Sequence, residues 1–290
     1  MTILLESTLN AIRPAGPEIY AQALGRHDTL TKPAGSLCRL EPLGAQLAAS
    51  YGTPTPTITG KAIAVFAANH DNDDEGVSAY PQAVTAQMVI NFLAGGAAIN
   101  ALAKVAGARL LIVDTGVKAD LPDHPTLLER KVRWGARNFL HARALTEAEA
   151  MAAIEACIDT AIRQLDAGAN LLAAGDMGIA TTTTTGYYLA AAANRTPAIL
   201  DGSITTAAAL LATGFAPSTR HFLIASHASH EAAHRVQLEQ LGLEPLPDLQ
   251  LRLGEGSGAA VAMPLVEAAA RVLAEMSTFE GASGSRGMGE

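Results

Sequence analysis

The 290-residue chain holds one tryptophan, and its aromatic residues together make up only 4% although 49% of it is hydrophobic. Alanine carries much of the apolar content, so the core is expected to rely on closely packed helices more than on aromatic anchors. Cysteine is as scarce: Cys38 and Cys157 lie far apart and neither belongs to a C-x-x-C pair. No metal or redox role follows, and two reduced thiols in a cytoplasmic protein are expected. Basic residues are outnumbered, 20 to 28, giving a net charge of -8; a nucleic acid is therefore not expected as the main partner. A small phosphorylated substrate stays compatible, because a few amides at a helix N-terminus hold one phosphate. There is no G-x-G-x-x-G and no G-x-x-x-x-G-K-[ST], so neither a dinucleotide nor a nucleoside triphosphate site is signalled. The start, M-T-I-L-L-E-S-T, lacks the basic and long apolar regions of a signal peptide. Apolar runs such as 259–266 are broken by charge short of a membrane span. The expectation is a soluble, intracellular protein with no membrane partner.

What is present centres on 251–260, L-R-L-G-E-G-S-G-A-A. Glu255 stands there between glycines, which allow close backbone approach to a ligand. Leu251, Leu253 and the following apolar run would desolvate its carboxylate and raise its pKa towards that of a general base. The competing reading is a glycine-rich turn with a solvated glutamate at a helix N-terminus.

In chain order, residues 1–50 read as helical, with a break at 14–17 and a turn at 32–36. Leu37, Leu40, Leu43 and Leu47 then recur at helical intervals, with Ser36 as the expected N-cap. The alternating Thr and Pro of 53–59 read as a linker. After it a unit repeats: a short apolar run, a polar or glycine-bearing loop, and an alanine-rich helical segment. The runs are 62–68, 110–113, 171–174, 198–200 and 222–225. This alternation predicts an α/β fold with a parallel sheet and crossover helices. Ligands of such sheets bind beyond the carboxyl ends of the strands, which gathers Asn69, His70, Asp114, Asp176, Asp201, Ser226, His227 and Ser229 on one rim. Residues 85–106 form a long apolar helical stretch with a weak point at Gly95-Gly96.

Several segments together resemble one family. They are K-P-A-G-S-L-C-R-L-E (32–41), E-G-V-S-A-Y-P (75–81), V-T-A-Q-M-V-I-N-F-L-A-G-G-A-A-I-N (84–100), G-D-M-G-I-A (175–180), L-D-G-S-I (200–204), S-H-A-S-H-E (226–231) and the Glu255 segment. In that order they are similar to the nicotinate-nucleotide–dimethylbenzimidazole phosphoribosyltransferases of cobamide (vitamin B12) lower-ligand assembly. The resemblance implies a Rossmann-like sheet flanked by helices over 44–260, a small helical subdomain built from 1–43 and 261–280, and a homodimer; the Gly/Ser-rich 281–290 read by composition as a flexible tail. It implies no cofactor and two small-molecule substrates, nicotinate mononucleotide and a benzimidazole base. Glu255 matches the family's catalytic glutamate. Tyr80, Pro81, Gln87, Met88 and Leu253 match positions around the base, Ser229 a phosphate-contacting serine, and Asp176 a position near the ribose usually held by glutamate. Gly178 and Gly254 complete the matched substrate site.

The chain departs from the family in two places. After G-D-M-G-I-A it passes almost directly to T-P-A-I-L-D-G, where the family has several dozen more residues, including a glycine-rich loop and a lysine on the nucleotide side. Helices and part of a strand are expected to be missing, and the β-prone 181–185 run makes a poor replacement. An alternative follows from the shortening: a non-catalytic, base-binding homologue. The second departure is N-H-D-N-D-D-E at 69–75, whose Asp71, Asp73, Asp74 and Glu75 read as a solvated acidic loop or, in the other reading, a magnesium site. His230 and His234 stand one helical turn apart, but the family pattern accounts for His227 and Glu231 without zinc, and no metal is assigned.

Overall fold

The structure, a computed structural model, describes residues 2–76, 80–178 and 184–282. Three helices open the chain: α1 (Ile3–Ala11), α2 (Pro17–His27) and α3 (Leu40–Tyr51). α3 starts later than its leucine spacing predicts, and Ser36 is not its cap. Residues 36–39 are turns, Cys38 has a left-handed φ of 46°, and Arg39 takes the N-cap position. The Glu41 carboxylate organises this entry by accepting the Leu37 amide at 3.1 Å and Lys32 Nζ at 2.7 Å.

The expected strands form as β1 (Lys61–Ala68), β2 (Arg109–Gly116), β4 (Leu171–Met177), β5 (Ala198–Leu200) and β6 (Leu223–Ala225), and β3 (Leu127–Glu129) joins them. All pairings are parallel, in the order β3-β2-β1-β4-β5-β6. Because both faces are covered, the strands read as continuous apolar runs. Ala62, Ala64 and Phe66 point into one core and Ile63, Val65 and Ala67 into the other, the period of a pleated strand.

On the first face lie α1, α6 (Glu147–Asp166), α7 (Thr185–Ala193) and α8 (Ser203–Phe215); on the second lie α3, α4 (Ala83–Leu93), α5 (Ala98–Ala106) and α10 (Ser257–Glu275). α9 (Ala232–Leu241) packs on α8. The break between α4 and α5 falls at Gly95-Gly96, as read from sequence. The helices are alanine-rich as expected, yet an aromatic cluster anchors the first core: Phe66, Tyr187 and Tyr188 are fully buried, with ring centroids 5.6 and 6.4 Å apart along the chain of contacts.

The chain ends meet in a satellite cluster, where Ala23 of α2, Ala45 and Ala48 of α3 and Leu273 of α10 pack together. α3 runs through position 43 and α10 through position 260, while Leu5 of α1 and Ile12 just after it enter the first core. The tail from residue 283 onward lies outside the described residues.

Candidate active site

Strand order reverses between β1 and β4, and the loops beyond that point converge. β4 carries Asp176 at its end, paired in register with Phe66 of β1. The chain then turns at Gly178 against β1, where a Cβ would lie 2.0 Å from the Ala68 carbonyl oxygen. Glycine is the residue that fits this approach.

The 254–256 turn closes over the same point. Gly254, Glu255 and Gly256 have φ of 81°, 63° and 82°, so three consecutive residues are left-handed and the middle one is not glycine. Holding a glutamate there costs about 1 kcal/mol. The turn is seated on β4: the Glu255 amide donates to the Asp176 carbonyl at 3.2 Å, and a Cβ on Gly175 would lie 2.2 Å from Gly256 N. Asp201, at the end of β5, holds the other side. Its carboxylate accepts the Gly256 amide and the Ala259 amide, each at 3.0 Å, and thereby caps α10 from a different strand.

Three carboxylates are thus buried together: Glu255 is 5% exposed, Asp176 9% and Asp201 0%. Burial, and then the nearby Asp201, raise the Glu255 pKa above the usual glutamate range. Burial raises Asp176 to about 8, with Asp201, Glu231 and Glu255 adding to it. Burial also pushes Asp201 up, against His227 and the amides of Ala259 and Gly256. Glu255 Oε2 is the one carboxylate oxygen among the described residues that is buried with no hydrogen-bond partner. The solvated-turn reading of Glu255 is therefore incorrect, because the 254–256 turn folds inward onto β4.

A small cavity of about 70 Å³ joins Asp176, Ser229, Leu253 and Gly254 with Gly202, His227, Glu231 and Arg252. Asp201 stands on the rim read from sequence, but no role for it is visible there; the signal is its place at a strand end directly before a helix. Glu231 occupies the N-cap position of α9, and Ser229 Oγ accepts the Glu231 amide at 3.3 Å. The Ser229 amide is also engaged, donating to His234 Nδ1 at 3.1 Å, while His234 Nε2 meets Thr206 Oγ1 at 3.0 Å. Both His234 ring nitrogens are thus occupied within the protein, and burial, then His227, lower its pKa to about 4.

Four of the residues matched to the base, Tyr80, Pro81, Gln87 and Met88, stand at or just before the start of α4. Tyr80 is 70% exposed, Pro81 and Gln87 are exposed, and Met88 is half-buried against the second core. Pro81 lines a different cavity, of about 850 Å³, with Asp71, Gln82, Lys118 and Arg137. Leu253 is 54% exposed beside Glu255.

In the acidic loop, Asp71 pairs with Lys118, and Glu75 Oε1 accepts Asn138 Nδ2 at 2.8 Å. Burial works against ionisation of Asp71, but the Lys118 and Gln82 hydrogen bonds hold its pKa low. The side chains of Asp73 and Asp74 lie outside the described residues, as do 77–79 of the E-G-V-S-A-Y-P motif and 179–183 at the shortened junction. Beyond the junction Thr185 opens a helix, α7, rather than continuing a β-prone run; its Oγ1 donates to the Ala208 carbonyl at 3.2 Å.

A phosphoribosyltransferase family model matches the chain in two stretches, 12–185 and 183–283. The nicotinate-nucleotide–dimethylbenzimidazole phosphoribosyltransferase of Geobacter sulfurreducens is 40% identical over 351 aligned positions, covering 99% of this chain and 99% of the relative. The chain belongs to the nicotinate-nucleotide–dimethylbenzimidazole phosphoribosyltransferase family. The Thermus thermophilus member is 42% identical over 93% of this chain and 99% of its own length. The crystal structure of that protein superposes with a TM-score of 0.90. The two matched stretches meet at 183–185, and 351 aligned positions against 290 residues mean that the alignment opens gaps in this chain. The shortened junction therefore lies between β4 and α7, beside the Asp176 loop.

Proposed function

We propose that this chain transfers the phosphoribosyl group of nicotinate mononucleotide to dimethylbenzimidazole or a related base, for cobalamin nucleotide-loop assembly. The products are an α-ribotide (α-ribazole phosphate) and nicotinate. The family assignment and the buried, unpartnered Glu255 Oε2 support this reading. An imidazole nitrogen of the base attacks the ribose C1, and the C–N bond to nicotinate breaks with its electron pair going to the pyridine nitrogen. The positively charged pyridinium leaves neutral at nitrogen, so it needs little acid help. The other imidazole nitrogen must lose its proton, and Glu255 Oε2 is a buried acceptor ready to take it.

Asp176, with its pKa at about 8, holds its proton at neutral pH and donates a hydrogen bond on the ribose side. Ser229 and Gly178 border the nucleotide. Tyr80, Pro81, Gln87, Met88 and Leu253 form the wall towards the flat base, where an aromatic or thioether face suits a heterocycle. The exposed Ile90, Phe139 and Leu140 supply apolar area for a homodimer contact. Cys38 and Cys157, both free, suit a cytoplasmic setting. The test is formation of the ribotide from the two substrates, with Glu255→Gln alongside.

A further inference from the structure

A third cavity, of about 400 Å³, opens at the carboxyl ends of β1 and β2, on the α6 side of the sheet. Ala68, Val132, Ala136, Leu145, Ala150 and Ala153 give it apolar walls. Its ionisable groups are of one kind: Arg133, Arg143 and His70 line it, and among the described residues no aspartate or glutamate does. The cavity beside Glu255 is mixed instead, with Asp176 and Glu231 in its lining alongside His227 and Arg252.

Arg133 is the group whose hydrogen bonding is incomplete. Its Nε is buried with no hydrogen-bond partner among the described residues. The carboxylate nearest to it, Glu149 Oε1, is 3.9 Å away. That carboxylate is already committed, to Arg137 by bonds of 2.8 and 3.0 Å and to the Thr146 amide at 2.7 Å. Two guanidinium groups therefore share one acid, and Arg143 adds a third positive charge at the cavity. A buried N–H without an acceptor is costly until an acceptor arrives, and an anion with oxygen acceptors is the natural one for a guanidinium. Apolar walls with a few convergent polar groups at strand ends are the form of a small-molecule site.

We infer that this cavity binds a small organic anion, a phosphate monoester or a carboxylate, with its charged end against Arg133 and Arg143 and its body against the apolar wall. Ala68 belongs both to this cavity and to the contact with Gly178, so the site adjoins the strand end that carries Asp176. The identity of the anion rests on the proposed reaction, whose substrate carries a phosphate monoester and whose leaving group carries a carboxylate; the cavity does not.

Titration calorimetry with ribose 5-phosphate and, separately, with nicotinate tests this on the wild-type protein, Glu255→Gln, Arg143→Glu and Ala150→Phe. At least one of the two anions binds, and which one does tells a phosphate site from a carboxylate site. Glu255→Gln binds it as the wild type does. Arg143→Glu weakens it by roughly tenfold or more, and Ala150→Phe, which fills the cavity, removes it. Arg143 is exposed, so its variant keeps the test sound if Ala150→Phe melts early. Absence of binding by both anions overturns the inference, as does binding unchanged in Arg143→Glu. Absence of turnover by the wild-type protein alongside retained anion binding faults the proposed reaction and leaves the cavity standing.

Discussion

The Asp201 carboxylate accepts the backbone N–H of Gly256, the residue after Glu255, at 3.0 Å, and its second oxygen accepts Ala259 at the same distance. One side chain thus fixes the turn that aims Glu255 and caps the helix behind it. It also places a negative charge near Glu255, which adds to the effect of burial on the Glu255 pKa.

Asp201→Asn keeps one acceptor oxygen and turns an NH2 group towards an amide that needs an acceptor. The variant is expected to lose about 2 to 3 kcal/mol of stability, read from urea unfolding. Its kcat is expected to fall by roughly tenfold or more as the base loses its position, read from the rate of nicotinate release.

Gly175→Ala puts a methyl group 2.2 Å from Gly256 N, with Glu255 O at 2.6 Å. Backbone atoms cannot yield as a flexible side chain does. A cost of about 1 to 3 kcal/mol is expected, together with loss of turnover, because the turn must lift off β4. Activity equal to the wild type would show that the turn is not seated as described.

Asp176 predicts a pH dependence of stability. Its folded pKa, about 8, lies above the ordinary aspartate value of 3.8. Between those values the folded state holds a proton that the unfolded state has released, so stability falls as pH rises and levels off above the folded pKa. Asp176→Asn removes this dependence, giving a flatter midpoint-versus-pH curve from about pH 5 to 8 and a higher midpoint at the alkaline end. A wild-type curve that rises over this window and is unchanged by the substitution would contradict the burial argument.

Lys32→Met tests the 32–41 segment apart from the chemistry. It leaves Glu41 without the 2.7 Å partner that holds its pKa down against burial. A loss of about 3 kcal/mol is expected from breaking so enclosed a pair. kcat of the folded fraction stays at the wild-type level.

Much of the fold is legible from periodicity. A strand buried on both faces must be apolar at every position, and 62–68 and 171–174 show this plainly. β3 is less visible than the equally short β6, because its three residues are only half-buried and end on an acid instead of forming a buried apolar run. The α3 entry is misread from leucine spacing because a tertiary ion pair, Lys32 to Glu41, wins over local capping. At the site, glycines flanking one acid make Glu255 conspicuous. The direction in which its turn folds is not encoded locally, since it depends on Gly175 and Asp201 from other strands. Ser229 stands out only through the family pattern, and the bond from its amide to a histidine five residues on has no local signal.

The most direct test mixes the purified protein with nicotinate mononucleotide and dimethylbenzimidazole and follows products by chromatography and mass spectrometry, with Glu255→Gln beside the wild type. The account predicts equal amounts of nicotinate and α-ribotide from the wild type, a rate that rises with pH through a pKa above the ordinary glutamate range, and no detectable turnover from the variant. No product from a wild-type protein that melts cooperatively, or equal product from Glu255→Gln, would contradict it.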